Sequence, residues 1–183
     1  MSKLCVTAAD SCGAIGEACC AGTSACQAGL TCSTGGICVG CVAALAVGNG
    51  HACALVRDGS VACWGANDHG QLGNGGTGSA AAAVAVVDDH GVPLGGIGAI
   101  AAGDNHTCAL RADKTVVCWG DDSAGQLGRG AAPSTVNPVP APPALTTIAA
   151  IAAGRQHTCA ALDSGAVWCC GANDGGQLGR APS

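Results

Sequence analysis

Phenylalanine and tyrosine are absent from these 183 residues, tryptophan occurs three times and methionine once. A core without large aromatic rings must be assembled from Ala, Val, Leu, Ile and Cys, so it is thin and needs support beyond apolar burial. Charge is scarce as well. Asp, Glu, Lys and Arg make up 10% of the chain, with seven bases against twelve acids and a formal net charge of −5. That balance argues against nucleic-acid binding by bulk electrostatics. No apolar run reaches the roughly 18 residues of a membrane-crossing helix, so no membrane span is expected. The start, MSKLCVTAAD, shows no apolar stretch of signal-peptide length. Coiled coils and helical bundles are disfavoured too, because no sustained heptad or helical period runs through the chain.

What the chain has in quantity is Gly, 31 residues, and Cys, 15. Cysteine at this density is expected where disulfides supplement a small core, which implies an oxidising compartment and an extracellular or cell-surface location. The competing reading is a cytosolic protein whose thiols stay reduced and act as small apolar groups. Eight cysteines crowd into residues 1–41, namely Cys5, Cys12, Cys19, Cys20, Cys26, Cys32, Cys38 and Cys41. That segment has almost no aliphatic periodicity, so it reads as a four-disulfide module of short turns whose pairing stays open. Its run CGAIGEACCAGTSACQAGLTCSTGGICV resembles a knottin-type module. Cys38-Val-Gly-Cys41 is also the spacing of half a zinc site or a redox dithiol, but no second CxxC or HxxxH lies at ligand distance.

From residue 42 onward one unit occurs three times. AVGNGHACALVRDGSVACWGANDHGQLGNG begins at Ala46, AAGDNHTCALRADKTVVCWGDDSAGQLGRG at Ala101 and AAGRQHTCAALDSGAVWCCGANDGGQLGR at Ala152. The anchoring histidines His51, His106 and His157 are 55 and then 51 residues apart, while the interior register is constant. Gly48, Gly103 and Gly154 stand three before the His; Gln71, Gln126 and Gln177 stand twenty after it. Upstream, Val42 with Leu45 matches Ile97 with Ile100 and Ile148 with Ile151. The repeats give three segments, 42–96, 97–147 and 148–183, behind the module of 1–41.

Within a unit, a near-alternating run such as His51 to Val56 is broken at Arg57-Asp58-Gly59 and resumes at Ser60, which reads as a hairpin. A three-residue turn with Gly59 left-handed pairs residue 56 with 60, and so sets Cys53 opposite Cys63. The same arithmetic sets Cys108 opposite Cys118 and Cys159 opposite Cys169. Each pair falls at a non-hydrogen-bonded site, where Cα atoms lie about 4.5 Å apart and a disulfide can close. Lys114 stands where the other turns have Gly, so the middle hairpin is expected to be the least secure.

The series AAGxxHTCAL…VxCWGxNxxGQLG, carried by His51, His106, His157, Trp64, Trp119 and the three GQLG turns, resembles the repeat of the regulator of chromosome condensation family. The resemblance covers residues 42–183. It implies an all-β fold: a partial β-propeller of three blades behind the small N-terminal disulfide-rich module. It also implies a binding platform more than any one activity, since family members range from nucleotide exchange on a small GTPase to secreted inhibition of β-lactamases. Three arcs do not close a ring, so either the chain is part of a longer one, two chains pair as a homo-oligomer that completes the propeller, or the arc is stable alone.

Histidines that recur once per unit at one strand position fit a packing role better than a single active site, and no catalytic residue, cofactor or metal is assigned. His69 and His90 fall outside the register, in loops. Asp88 with Asp89 and Asp121 with Asp122 lack a calcium-loop pattern and read as solvated turn residues. Cys170 replaces the tryptophan of the other units and is left without a partner, either a buried thiol or a link to another chain. The function expected is a secreted, non-enzymatic scaffold for an unidentified protein partner. The alternatives are an inhibitor of an extracellular protease or β-lactamase, and a self-assembling surface or matrix component.

Overall fold

The computed structural model describes residues 42–129 and 147–182 in full, together with the backbone of short strands at 31–32, 38–39 and 135–140. Cys5, Cys12, Cys19, Cys20, Cys26 and Cys41 lie outside the described residues, as do the side chains of Cys32 and Cys38. The disulfide module expected there is outside them too.

Among the described residues every regular element is a strand. β1 (Thr31–Cys32) pairs antiparallel with β2 (Cys38–Val39). The first repeat forms a sheet of β3 (Val42–Val47), β4 (His51–Val56), β5 (Val61–Gly65) and β6 (Ala80–Ala85), in chain order. The second repeats it with β7 (Ile97–Ala102), β8 (His106–Arg111), β9 (Val116–Gly120) and β10 (Thr135–Pro140). The third has β11 (Ile148–Ala153), β12 (His157–Leu162) and β13 (Val167–Gly171). β10 carries two prolines in TVNPVP and is the outermost strand of its sheet, where a missing N–H removes no central ladder bond.

The turn between β4 and β5 is built by its own residues. The Val56 N–H donates to the Ser60 carbonyl and the Gly59 N–H to the Val56 carbonyl, both at 2.9 Å, with Gly59 at φ 85°. Asp58 accepts from the Ser60 N–H and hydroxyl at 2.9 and 2.7 Å. Asp113 and Thr115 do the same in the second blade. This turn sets the register, and the register brings the cysteines together. Cys53–Cys63, Cys108–Cys118 and Cys159–Cys169 are bonded, with Cα atoms 4.0, 4.1 and 4.1 Å apart. A bridge closing so short a loop contributes about 2–3 kcal/mol.

Lys114 occupies the left-handed position at φ 66° without any shift in register. A non-glycine residue there costs about 1–2 kcal/mol. Against that cost the hairpin has its disulfide and an ion pair from Lys114 Nζ to Asp163 of the next blade.

Val42 and Leu45 lie three apart, a spacing that strict alternation would split between two faces. A one-residue irregularity resolves this. Val42 pairs with Val56 but Ala44 with Leu55, and the same slip recurs between Ile97 and Ala99 and between Ile148 and Ala150. The bulge returns both apolar residues of each pair to one side.

The core lies between blades, where β7 packs on β3 and β4, and β11 on β7 and β8. At the first seam Cys53, Leu55, Val61, Leu72 and Val86 meet Ile97, Ala109, Val117 and Trp119. At the second, Cys108, Leu110, Val116 and Leu127 meet Ile148 and Ala160, with Ile151 and Trp168 half-buried beside them.

Candidate functional site

The residues that recur in the repeats converge on these two seams. His51 Nε2 lies 2.8 Å from the Thr107 hydroxyl of the second blade. That hydroxyl donates to the Gln71 main-chain carbonyl at 3.2 Å, so it accepts from the ring, and the His51 proton is assigned to Nε2. Trp119 Nε1–H reaches the same carbonyl at 2.9 Å. One first-blade oxygen thus receives two donors from the second. At the next seam His106 Nε2 is 2.8 Å from the Thr158 hydroxyl. There the thiol of Cys170 donates to the Gln126 carbonyl at 3.4 Å, in the place of the indole N–H.

The spacing of Gly to His follows from this geometry. A Cβ on Gly48 would collide with the His51 ring and with the Gly103 carbonyl of the next blade. Gly103 stands in the same relation to His106 and Gly154.

The Gln side chains fold the turn that presents their carbonyls. Gln71 Oε1 accepts from the His69 N–H at 2.9 Å and its Nε2 donates to Asp68 at 3.0 Å. Gln126 and Gln177 do the same with Ala124 and Asp121, and with Gly175 and Asp174. A second element of this turn escaped the sequence reading. Asn67, Asp122 and Asn173 each accept the N–H of the Leu five residues on, at 2.9, 2.8 and 3.1 Å. The signal was there to find, an Asn or Asp two residues after the Gly of CWG or CCG in all three units.

This corrects the expectation for Asp121 and Asp122, which are buried and not solvated. Burial pushes the Asp122 carboxyl up, against the Leu127 N–H and the Arg129 guanidinium. For Asp121 burial acts in the same direction, but the Ser123 N–H and hydroxyl and the Gln126 amide outweigh it and hold the group below its usual value. Asp88, Asp89 and His90 do sit on a mostly exposed turn. They bring one donor each within 4.8 Å of one another, with Asp88 closing the turn through the His90 and Val92 N–H groups. His69 stands apart in its loop, 3.5 Å from Asp68.

Chemically, the seams are hydrogen-bonded joints between blades. Burial lowers the affinity of His51 and His106 for a proton, taking His106 to about 4. The His106 Nδ1 is buried with no partner, so a proton added there would be an uncompensated cation. The Cys170 thiol is pushed up to about 12, chiefly by burial, which leaves it protonated and unreactive. Among the described residues it is the one cysteine outside a disulfide.

The third blade also moves its tryptophan. Trp168 sits two residues before Cys170, on the same side of β13. A Cβ on Gly73 would lie 2.7 Å from Trp119 Nε1, and one on Gly128 would lie 2.5 Å from Trp168 Cη2. Both turns are therefore covered by an indole from the next blade, delivered from different strand positions. Beside the second an open cleft of about 530 Å³ is lined by Ser123, Gly128, Trp168, Cys170 and Arg180.

Profiles described as the regulator of chromosome condensation (RCC1) repeat match residues 42–71, 99–126 and 148–177 in one form, and 58–110 and 115–161 in another. The chain belongs to the RCC1-repeat family. Probable E3 ubiquitin-protein ligase HERC3 of Homo sapiens is 38% identical over 135 residues, which are 73% of this chain and 13% of that protein. The ultraviolet-B receptor UVR8 of Arabidopsis thaliana is 33% identical over 74% of this chain and 30% of its own length. The RCC1-repeat chain here thus spans a minor part of the relatives it matches. Among solved structures, yeast RCC1 (Prp20) bound to Kap60 superposes with a TM-score of 0.57 at 28% identity, over 73% of this chain and 30% of that one. Human WBSCR16 superposes at 0.62 with 21% identity, over 72% and 33%, and so shows the fold alone. The three blades are an RCC1-type partial propeller.

Two outcomes follow from the seam geometry. The unfolded chain binds protons at histidine near pH 6.5, whereas folded His106 binds them only near pH 4. Stability is therefore full above pH 6.5 and falls as pH drops towards 4, by about 3 kcal/mol from this residue. Denaturant melts across pH 4–7 should show the fall, and a His106→Gln variant should flatten it. At the second seam, Cys170→Trp alone should overpack against Trp168 and cost about 1–3 kcal/mol. The double change Trp168→Val with Cys170→Trp, which reproduces the second blade, should recover most of that loss in the same melts.

Proposed function

We propose that the chain is a non-enzymatic scaffold for a protein partner, working outside the cell or at its surface. The observation that carries this reading is the end of the blades formed by residues 48–50, 103–105 and 154–156. Its backbone is tied across seams, with the Asn49 N–H on the Asp104 carbonyl at 3.2 Å and the Asp104 N–H on the Arg155 carbonyl at 3.0 Å. Its side chains differ at every step, as Asn49, Asp104, Arg155 and as Gly50, Asn105, Gln156. A fixed backbone bearing varied polar groups loses little freedom on binding and can be specific.

The relatives support a protein partner. Yeast RCC1 (Prp20) is solved in complex with Kap60, and a second structure of Prp20p, from Saccharomyces cerevisiae, is titled for its binding properties to Gsp1p and histones. The net charge of −5 favours a basic or neutral protein here. Three closed disulfides support an oxidising compartment. Catalysis finds no support at the seams, where the Thr107 proton goes to a carbonyl and burial holds the pKa of His106 at about 4.

Affinity capture with the wild-type chain and an Asn49→Glu, Arg155→Glu variant tests the reading. The variant should melt within a few degrees of the wild type, since the Arg155–Asp104 pair it removes is mostly exposed, and lose the captured proteins at least about tenfold. An unchanged captured set overturns the assignment of this end. Alkylation of the native-source protein without reductant should find about one free thiol among the 15 cysteines. A count near 15 overturns the compartment.

A further inference from the structure

We propose that Asn105 is the acceptor for an N-linked oligosaccharide, attached before the first seam closes; this rests on the extracellular placement proposed above. Asn105-His106-Thr107 is the one Asn-X-Ser/Thr triplet with X other than Pro in the chain, and N-linked transfer needs that triplet. The equivalent triplets, Gly50-His51-Ala52 and Gln156-His157-Thr158, both lack the asparagine.

The seams account for two of the three residues and leave the third unexplained. His106 Nε2 lies 2.8 Å from the Thr158 hydroxyl, and the Thr107 hydroxyl joins His51 to the Gln71 carbonyl. Asn105 contributes only its main chain. Its carbonyl accepts the Asp121 N–H at 2.8 Å, as Gly50 accepts from Ala66 and Gln156 from Ala172, so the bond needs no particular side chain. The Asn105 carboxamide makes no hydrogen bond among the described residues and is partly exposed, at the end of the blades between β7 and β8. A sugar on its Nδ2 therefore breaks no contact and has solvent to occupy.

In the transfer, Asn105 Nδ2 attacks the anomeric carbon of an oligosaccharide carried on a lipid diphosphate. The C–N bond forms as the bond from that carbon to the diphosphate oxygen breaks. The lipid diphosphate leaves with the electron pair, and one carboxamide proton passes to a base of the transferring enzyme. That enzyme reads the hydroxyl two residues after the asparagine. In the folded chain Thr107 is 0% exposed and its hydroxyl is held on both sides. Transfer must therefore come first, before β8 meets the first blade. Closure of the seam withdraws the hydroxyl, so folding and transfer compete for Thr107. Chains leave that competition in two forms, which differ at the end that carries Asn49, Asp104 and Arg155.

The test offers the full 183-residue chain, reduced and alkylated, to detergent-opened endoplasmic-reticulum membranes that hold the transferase and its lipid-linked donor. Mass spectrometry should find one glycan, and peptide N-glycosidase should release it with Asn105 converted to Asp. The folded, disulfide-bonded chain should be modified at least about tenfold less, because the hydroxyl is reached only through opening of the seam. Asn105→Gln, which places the third blade's residue there, should abolish the modification and melt within a few degrees of the wild type. An unfolded chain left unmodified, a glycan that survives Asn105→Gln, or equal modification of the folded chain would overturn the proposal. So would native-source protein with about one free thiol and no sugar at Asn105. A thiol count near 15 overturns the placement alone, since the acceptor is read on the purified chain.

Discussion

Everything in this arc depends on a carbonyl oxygen that one blade holds out to the next. Gln71 and Gln126 each fix their own turn through the carboxamide and turn the main-chain oxygen into the seam, where a hydroxyl with an indole, or a thiol, donates to it. The histidine ring completes the joint at the threonine hydroxyl, His51 by donating to Thr107. The glycine three residues before it has no side chain because the ring and the neighbouring backbone fill that space. In a chain with no phenylalanine or tyrosine, a single sheet has too little apolar bulk to cover itself. Burial is achieved between sheets, so the polar joint and the hydrophobic core occupy the same seam and form together.

The disulfides do a different job. Each lies within one blade and closes a hairpin whose register the turn already sets, so it lowers the entropy of the unfolded chain, and the sulfurs of the first two also form part of the apolar wall of the seams. The division explains how Lys114 can hold a conformation that glycine prefers: the bridge and the ion pair to Asp163 hold the hairpin from both sides. It also separates what varies from what does not. Joint residues repeat, whereas the loop ends that carry Asn49, Asp104 and Arg155 have backbone fixed from below and are free to differ.

The hairpins, the cysteine facing and the repeat register were legible because each follows from local spacing: a turn residue, an alternation and a count outward. The Trp-rich and Gln-rich positions were legible as recurrent but not in their roles, since a hydrogen bond between residues 48 or 56 apart leaves no local trace. Asp121 and Asp122 were misread for a related reason. Two adjacent acids look solvated in isolation, and only alignment with Asn67 and Asn173 shows that the second belongs to a turn-closing position. The spacing of Val42 and Leu45 was visible as a pattern yet unexplained until the bulge was seen.

The displaced indole of the third blade bears on how such repeats diverge. Valine then tryptophan in one strand and tryptophan then cysteine in another deliver comparable bulk to the same glycine, although neither position matches on its own. What the turn glycine meets at this seam is set by two side chains together. A comparison made one column at a time scores as decay what is, in volume, a trade between neighbours.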